Sequence, residues 1–301
     1  MIYTVTFNPA LDYAVGVKNL EPGMTNRSYF EKLLPGGKGL NVSTILTNLN
    51  IDNTALGFIA GFTGQEIERR FREKGCKSDF ITLKSGFSRI NVKIKSDKET
   101  EINASGPDID NGSLEALMDK LDGLKGGDTL VLAGSIPPSL PDSLYSDILK
   151  RLSGRDIMFV VDATRDLLMN VLEYRPFLIK PNNHELGEIF DAALNTREEV
   201  VPYAEKLVKK GARNVLVSMA GEGAVLVSES GEIIKSPAPK GKVINSVGAG
   251  DSMVAGFIAG WHESQSAEHA FKLGVASGSA SAFSEELATK DEIEIVYKQL
   301  G

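Results

Sequence analysis

The sequence predicts a single α/β domain, built on a mostly parallel sheet and carrying a small β-lid, and three observations predict it. From about Gly36 onward, apolar strand-like runs alternate with helix-length amphipathic segments, the pattern of βαβ units closing a parallel sheet. Two segments, Asp12–Leu34 and Ser88–Ala104, break that rhythm with period-two alternation, clearest in Ile90-Asn91-Val92-Lys93-Ile94-Lys95, so they read as strands able to pair into an accessory sheet. No linker, composition shift, internal repeat or low-complexity stretch divides the 301 residues.

Taken in order, Met1-Ile2-Tyr3-Thr4-Val5-Thr6-Phe7 reads as a first strand; it lacks the basic start and small-residue cleavage site of a secretion signal. The lid segment Asp12–Leu34 follows, then a glycine-rich turn, Pro35-Gly36-Gly37-Lys38-Gly39, running into a helix at Asn41. After the second lid segment come a helix at Leu114–Leu124 and a strand at Asp128–Ala133, then a helix at Leu144–Leu152 and a strand at Ile157–Asp162. A strand at Phe177–Lys180 precedes a helix at Val200–Lys210, which Gly211 ends as a C-cap, and a strand at Asn214–Ser218. Late in the chain a second glycine turn, Asn245-Ser246-Val247-Gly248-Ala249-Gly250-Asp251-Ser252, opens a helix of small residues ending near Trp261.

Bulk properties narrow the function classes. With 42% hydrophobic and 24% charged residues the chain has a globular composition, and no apolar run reaches membrane-spanning length. A net charge of −7 disfavours nucleic-acid binding, which needs a basic surface. The single cysteine, Cys76, has no partner for a disulfide or a thiolate metal site, which fits a reducing compartment. A cytoplasmic protein without nucleic-acid or membrane partners is the expectation.

The two glycine turns carry the chemistry. Glycines before a helix present free N–H groups and the positive end of the helix dipole, together an anion site. Asp251, in the first helical turn, could take a proton from a hydroxyl while those amides receive charge growing on a transferred phosphoryl group. An isolated Gly-x-Gly-Asp would equally suit a dipole-stabilised helix aspartate. The earlier turn tips the balance: its glycines allow close backbone approach, Lys38 adds a point charge and Asn41 an amide one turn on. Walker A, Gly-x-Gly-x-x-Gly, Gly-x-Ser-x-Gly and His-Glu-x-x-His patterns do not occur, and there are only three histidines, so nucleotide-loop, hydrolase and zinc readings lose their usual residues.

In this order and separation the two turns resemble the signatures of the ribokinase/phosphofructokinase-B family of sugar kinases. The resemblance spans essentially the whole chain through Asn8-Pro9-Ala10-Leu11-Asp12, Gly61-Phe62-Thr63-Gly64, Ser88-Arg89-Ile90-Asn91-Val92-Lys93, Gly134-Ser135-Ile136-Pro137-Pro138, Lys180-Pro181-Asn182-Asn183-His184-Glu185 and Ser218-Met219-Ala220-Gly221-Glu222-Gly223. It implies a ribokinase-like three-layer α/β/α sandwich with a parallel central sheet and a β-lid formed by about residues 12–34 and 88–104, the lid often mediating a homodimer.

It also implies roles. Asp251 would be the base, with Gly248, Ala249 and Gly250 around the transferred phosphoryl. Asp12, Gly37, Asn41 and Ser135 would contact sugar, and Lys38 and Arg89 the phosphate already on it, with Arg27 reaching the same phosphate across a dimer interface. Lys180, Asn182, Ser218, Gly221, Gly223, Val243, Val275 and Ser279 would hold ATP, and Glu185 a Mg2+ through water. Some relatives hold K+ at positions matching Asn245 and Val247. Lys38 and the Arg89–Lys93 run point to fructose 1-phosphate as acceptor, tagatose 6-phosphate being the alternative. A non-catalytic sugar-phosphate or nucleotide sensor is the alternative from another class.

Overall fold

A computed structural model describes residues 1–301. In chain order its strands are β1 (Ile2–Thr6), β2 (Ala10–Val17), β3 (Ser28–Gly36), β4 (Asn53–Ala60), β5 (Ile81–Leu83), β6 (Arg89–Lys95) and β7 (Thr100–Ile102), followed by β8 (Thr129–Ala133), β9 (Met158–Asp162), β10 (Leu178–Ile179), β11 (Asn214–Ser218), β12 (Ala224–Ser228) and β13 (Ile233–Ser236). Nine of them form one sheet in the order β13-β12-β11-β10-β9-β8-β1-β4-β5. From β11 to β5 every pairing is parallel, and the β12–β13 hairpin adds an antiparallel edge.

Strand residues alternate between two apolar cores, which is what a sheet covered on both faces requires. Val5, Leu130, Leu132, Val161, Val215 and Val217 face one core with the helices Leu144–Leu152 and Arg197–Lys209. Ile2, Val131, Val160 and Leu216 face the other, with the helices Lys38–Asn48, Ala249–Ser264 and Ala267–Phe283. Three layers result. The helix expected at Leu114–Leu124 runs Asn111–Asp122 behind the N-cap Asp110. The one expected at Val200–Lys210 starts earlier, at Arg197, because Thr196 and Glu199 form a capping box. No helix is long and apolar enough to cross a membrane.

The last two long helices cross at close range on glycines. A Cβ on Gly256 would lie 2.5 Å from the Leu273 carbonyl oxygen and 2.4 Å from Ser277 Oγ. Gly256→Val is expected to lower the unfolding free energy by about 1–3 kcal/mol through overpacking. A urea midpoint equal to that of the wild type would show that the helices can part without loss.

The remaining strands form the lid, in the order β3-β2-β6-β7. Asp12–Leu34 is thus not one extended run: β2 and β3 pair antiparallel around the connection 18–27, and β6 and β7 likewise make a hairpin within Ser88–Ala104. Strands β2 and β6 pair parallel, Asp12 opposite Asn91, since both enter the lid from the carboxyl edge of the main sheet. That edge is the topological switch point: from β1 the chain adds β4 on one side and later β8 on the other. Ligands of open α/β sheets gather in such a crevice.

Candidate active site

Between the lid and the carboxyl ends of the main strands lies a cleft of about 620 Å3. Each strand delivers a polar group as it ends: Thr6 from β1, Gly134 and Ser135 beyond β8, Asp162 from β9, Lys180 beyond β10 and Ser218 from β11. The lid contributes Asp12, Arg89, Asn91 and Lys93, and the two glycine turns contribute Gly37, Lys38, Asn41, Gly248, Gly250 and Asp251.

Gly248 precedes the helix Ala249–Ser264 with φ +79, a left-handed conformation that favours glycine. A Cβ there would also strike the Leu287 side chain at 2.6 Å. The amides of Gly248, Gly250 and Asp251 have no acceptor within the chain, so this helix start can receive an anion. Asp251 is 6% exposed, and Asn41 Nδ2 donates to its Oδ2 at 2.8 Å. The first turn thereby orients the base supplied by the second.

Beneath Asp251 sits a charge cluster of which only the lysines were candidates from the sequence. Asp162, at the end of β9, is 1% exposed. Its Oδ1 accepts from Lys38 Nζ at 3.2 Å and lies 3.6 Å from Lys180 Nζ, while its buried Oδ2 has no partner. Lys180 Nζ stands beside Gly250, 3.2 Å from where a Cβ would be, and so next to the free amides.

Burial opposes ionisation of Asp162, but the ammonium groups of Lys180 and Lys38 outweigh it and hold its pKa below the usual carboxylate value. Asp251 goes the other way. Burial first, and the Asp162 charge second, push it to about 6, against the pull of Lys38, the Asn41 hydrogen bond and Lys180. Two neighbouring carboxylates are thus driven apart, one a fixed anion and the other poised to exchange a proton near neutrality.

At the lid end, Asp12 accepts from Asn91 Nδ2 at 2.9 Å and pairs with Lys93 Nζ at 3.3 Å. Arg89 Nε donates to the Asn8 carbonyl at 3.0 Å, which anchors the guanidinium at the lid base. Lys38, expected beside Arg89 at the sugar's phosphate, lines the same cleft with its ammonium 3.2 Å from Asp162 Oδ1.

On the nucleotide side, Asn182 and Glu185 form a capping box: Asn182 Oδ1 accepts from Glu185 N and Glu185 Oε2 accepts from Asn182 N, both at 2.8 Å. Glu185 Oε1 accepts nothing from the chain. Gly223 has φ +97, and a Cβ there would lie 2.0 Å from the Ser236 carbonyl oxygen, so glycine lets the loop pass the sheet edge. Gly221 and Val243 are exposed and Ser279 is half-buried. Val275, expected beside adenine, is 1% exposed within the apolar core, so it backs the helix and does not line a groove. Arg27 is exposed on the connection between β2 and β3 and does not line this cleft.

A poised carboxylate at a helix start with free amides, two lysines sharing a buried aspartate, and a polar lid over the crevice define a phosphotransferase site for a small hydroxylated acceptor. The profile of the pfkB family carbohydrate kinases matches residues 10–293, and the chain belongs to this family of enzymes. Within it, the chain is 48% identical over 294 residues, 98% of its own length and 96% of the relative's, to the 1-phosphofructokinase of Bacillus subtilis. It is 35% identical over 302 residues, all of its own length and 98% of the relative's, to the D-tagatose-1-phosphate kinase of Bacillus licheniformis. Phosphofructokinase-2 from Escherichia coli, solved with fructose 6-phosphate, superposes with a TM-score of 0.92 at 27% identity, covering 99% of this chain and 98% of that one.

Proposed function

We propose that the protein transfers the γ-phosphoryl group of ATP to the 6-hydroxyl of D-fructose 1-phosphate, giving fructose 1,6-bisphosphate and ADP. The observation that carries this reading is the separation of roles along the cleft: a base and an anion turn at one end, lid cations and a hydroxyl-binding carboxylate at the other. Asp251 takes the proton of the 6-hydroxyl as that oxygen bonds to the γ-phosphorus and the bond to the ADP oxygen breaks. The free amides of Gly248 and Gly250, with Lys180 beside them, receive the charge on the phosphoryl group. Asp12 accepts from sugar hydroxyls, and Ser135 and Gly37 line their path. In a loose transition state, positioning and charge stabilisation of this kind supply most of the catalysis.

As a carbohydrate kinase the enzyme uses ATP with a divalent cation, which we take to be Mg2+. The partnerless oxygen Glu185 Oε1 suits a hard cation that keeps part of its water shell, and Asn182 and Glu185 would hold it. Bound there, magnesium supplies charge neutralisation on the nucleotide phosphates. Ser218, Gly221, Gly223, Val243 and Ser279 border the nucleotide. The carbonyls of Asn245 and Val247 would serve a K+ ion. The lid exposes Tyr29, Phe30 and Ile102, and we assign it the contact of a homodimer, where Arg27 would reach the partner's cleft. The enzyme works in the cytoplasm.

Fructose 1-phosphate, fructose 6-phosphate, tagatose 1-phosphate, tagatose 6-phosphate, fructose and ribose, compared at equal concentration by ADP release and by phosphorus NMR of the products, test the reading. The highest kcat/KM is expected for fructose 1-phosphate; a clear preference for either tagatose phosphate would replace the acceptor and keep the mechanism. No ATP-dependent turnover with any of them would favour a sensor. In the same assay Arg89→Ala is expected to raise KM for fructose 1-phosphate about 10- to 100-fold, the range for a lost charged hydrogen bond. The KM for ATP should stay near its wild-type value; if ATP affinity fell instead, Arg89 would belong to the nucleotide.

A further inference from the structure

On β6 the residues Arg89, Asn91 and Lys93 fall at successive alternate positions, so one face of the strand turns all three toward the cleft. They are not equally available to a ligand. Arg89 spends its Nε on the Asn8 carbonyl. Asn91 is 7% exposed; its Nδ2 goes to Asp12, while its Oδ1 is buried with no partner. Lys93 Nζ has only carboxylates around it, Asp12 at 3.3 Å and Glu101 at 4.0 Å. Lys38, the other cation near the sugar path, is held by Asp162. Each oxygen of Asp12 therefore already has a partner before any sugar arrives, Asn91 on one and Lys93 on the other.

We propose that Lys93 is a specificity-determining residue that selects phosphorylated sugars by changing partners: the substrate's own phosphate draws the ammonium from Asp12, and Asp12 is released to accept from the sugar hydroxyls. The exchange rests on the reading above that the acceptor carries a phosphate. A phosphate dianion offers an ammonium more negative charge and more acceptor oxygens than one carboxylate does, so the swap is favourable. A neutral sugar brings nothing to replace Asp12, and must compete with Lys93 for the carboxylate it needs. Selectivity then arises in two ways: attraction for the right substrate and a blocked acceptor for the wrong one. The position of Lys93 also suits a mobile ammonium, since it lines both the cleft and an adjoining cavity of about 530 Å3 beneath the lid.

Lys93→Met keeps the stem and removes the charge. In the full-length enzyme with saturating ATP, KM for fructose 1-phosphate is expected to rise about 10- to 100-fold, kcat for it to stay within a few-fold, and kcat/KM for fructose to increase because Asp12 is open. Lys93→Arg should recover much of the KM. An unchanged KM for fructose 1-phosphate overturns the proposal. So does a parallel loss for both sugars, which would mark Lys93 as a support for Asp12 alone. Wild-type turnover of the sugar panel is read separately. If another hexose phosphate is the preferred substrate, the same comparison is made between it and its unphosphorylated parent, so the choice of acceptor can fail while the partner exchange stands.

Discussion

Asp251→Asn is expected to lose about 10²- to 10⁴-fold in kcat, the usual worth of a general base, while folding normally and gaining stability at neutral pH. The fold loses no contact it needs, since an asparagine oxygen can still accept from Asn41 Nδ2. Stability should rise for an electrostatic reason. Folding lifts the Asp251 pKa from 3.8 to about 6, through burial first and the Asp162 charge second, so the native state disfavours the ionised form. For a carboxyl raised in this way the stabilising contribution is complete below pH about 4 and is lost as pH climbs through about 6. Relative to the variant, wild type should therefore become less stable by about 3 kcal/mol between pH 4 and 7, the linkage equivalent of that shift. Urea unfolding at the two pH values measures it. Wild-type kcat/KM should fall below pH about 6 as the base protonates. A near-normal kcat in the variant would remove Asp251 from the chemistry, and an acid limb near pH 4 would mean that the cleft does not raise its pKa.

Asp162→Asn should do the opposite to the fold. Lys180, whose side chain is 6% exposed, and Lys38 share that one carboxylate. Removing one member of a buried ion pair leaves an uncompensated charge, typically worth about 3–5 kcal/mol of stability. Adding Lys180→Met to Asp162→Asn should restore part of the stability and none of the activity, and the double-mutant cycle isolates the coupling. The acid limb of kcat/KM should also move below pH about 6, because the anion that raises Asp251 is gone while the lysines that lower it remain. Single and double variants of equal stability would show that the two groups do not support one another.

Which parts of this site could be read from the sequence follows from how local each signal is. The turn at Gly248–Asp251 and the helix it opens are contiguous, so together with the earlier glycine turn they could be read as an anion site, and the amides of Gly248, Gly250 and Asp251 have no acceptor within the chain. The parallel sheet and the two lid segments were visible as a change of hydrophobic period. Asp162 was not, because an aspartate closing an apolar strand looks like any turn residue; its meaning lies in Lys38, 124 positions away, and in Lys180. Lys93 stood in plain view within Ile90–Lys95, but alternation tells only that it shares a face with Arg89 and Asn91, not that the face looks into the cleft or that Asp12 is its partner. Val275 misled for a related reason: in a helix of small residues, composition does not say which side is packed.

Asp12, Arg89, Asn91 and Lys93 ride on one sheet, on β2 and β6, whereas Asp251, its glycine turn and the lysine pair are fixed to the other. Substitutions in the lid can therefore alter which hydroxylated compound is accepted and leave the reaction itself untouched. The same change in the ends of β9 and β10 would lower turnover for every compound alike. A scaffold divided in this way gives natural variation a tolerant half, where new acceptors can be explored, and an intolerant half that must stay constant. An engineer wishing to redirect this enzyme would randomise positions such as 12, 91 and 93 and keep 162, 180 and 251 fixed.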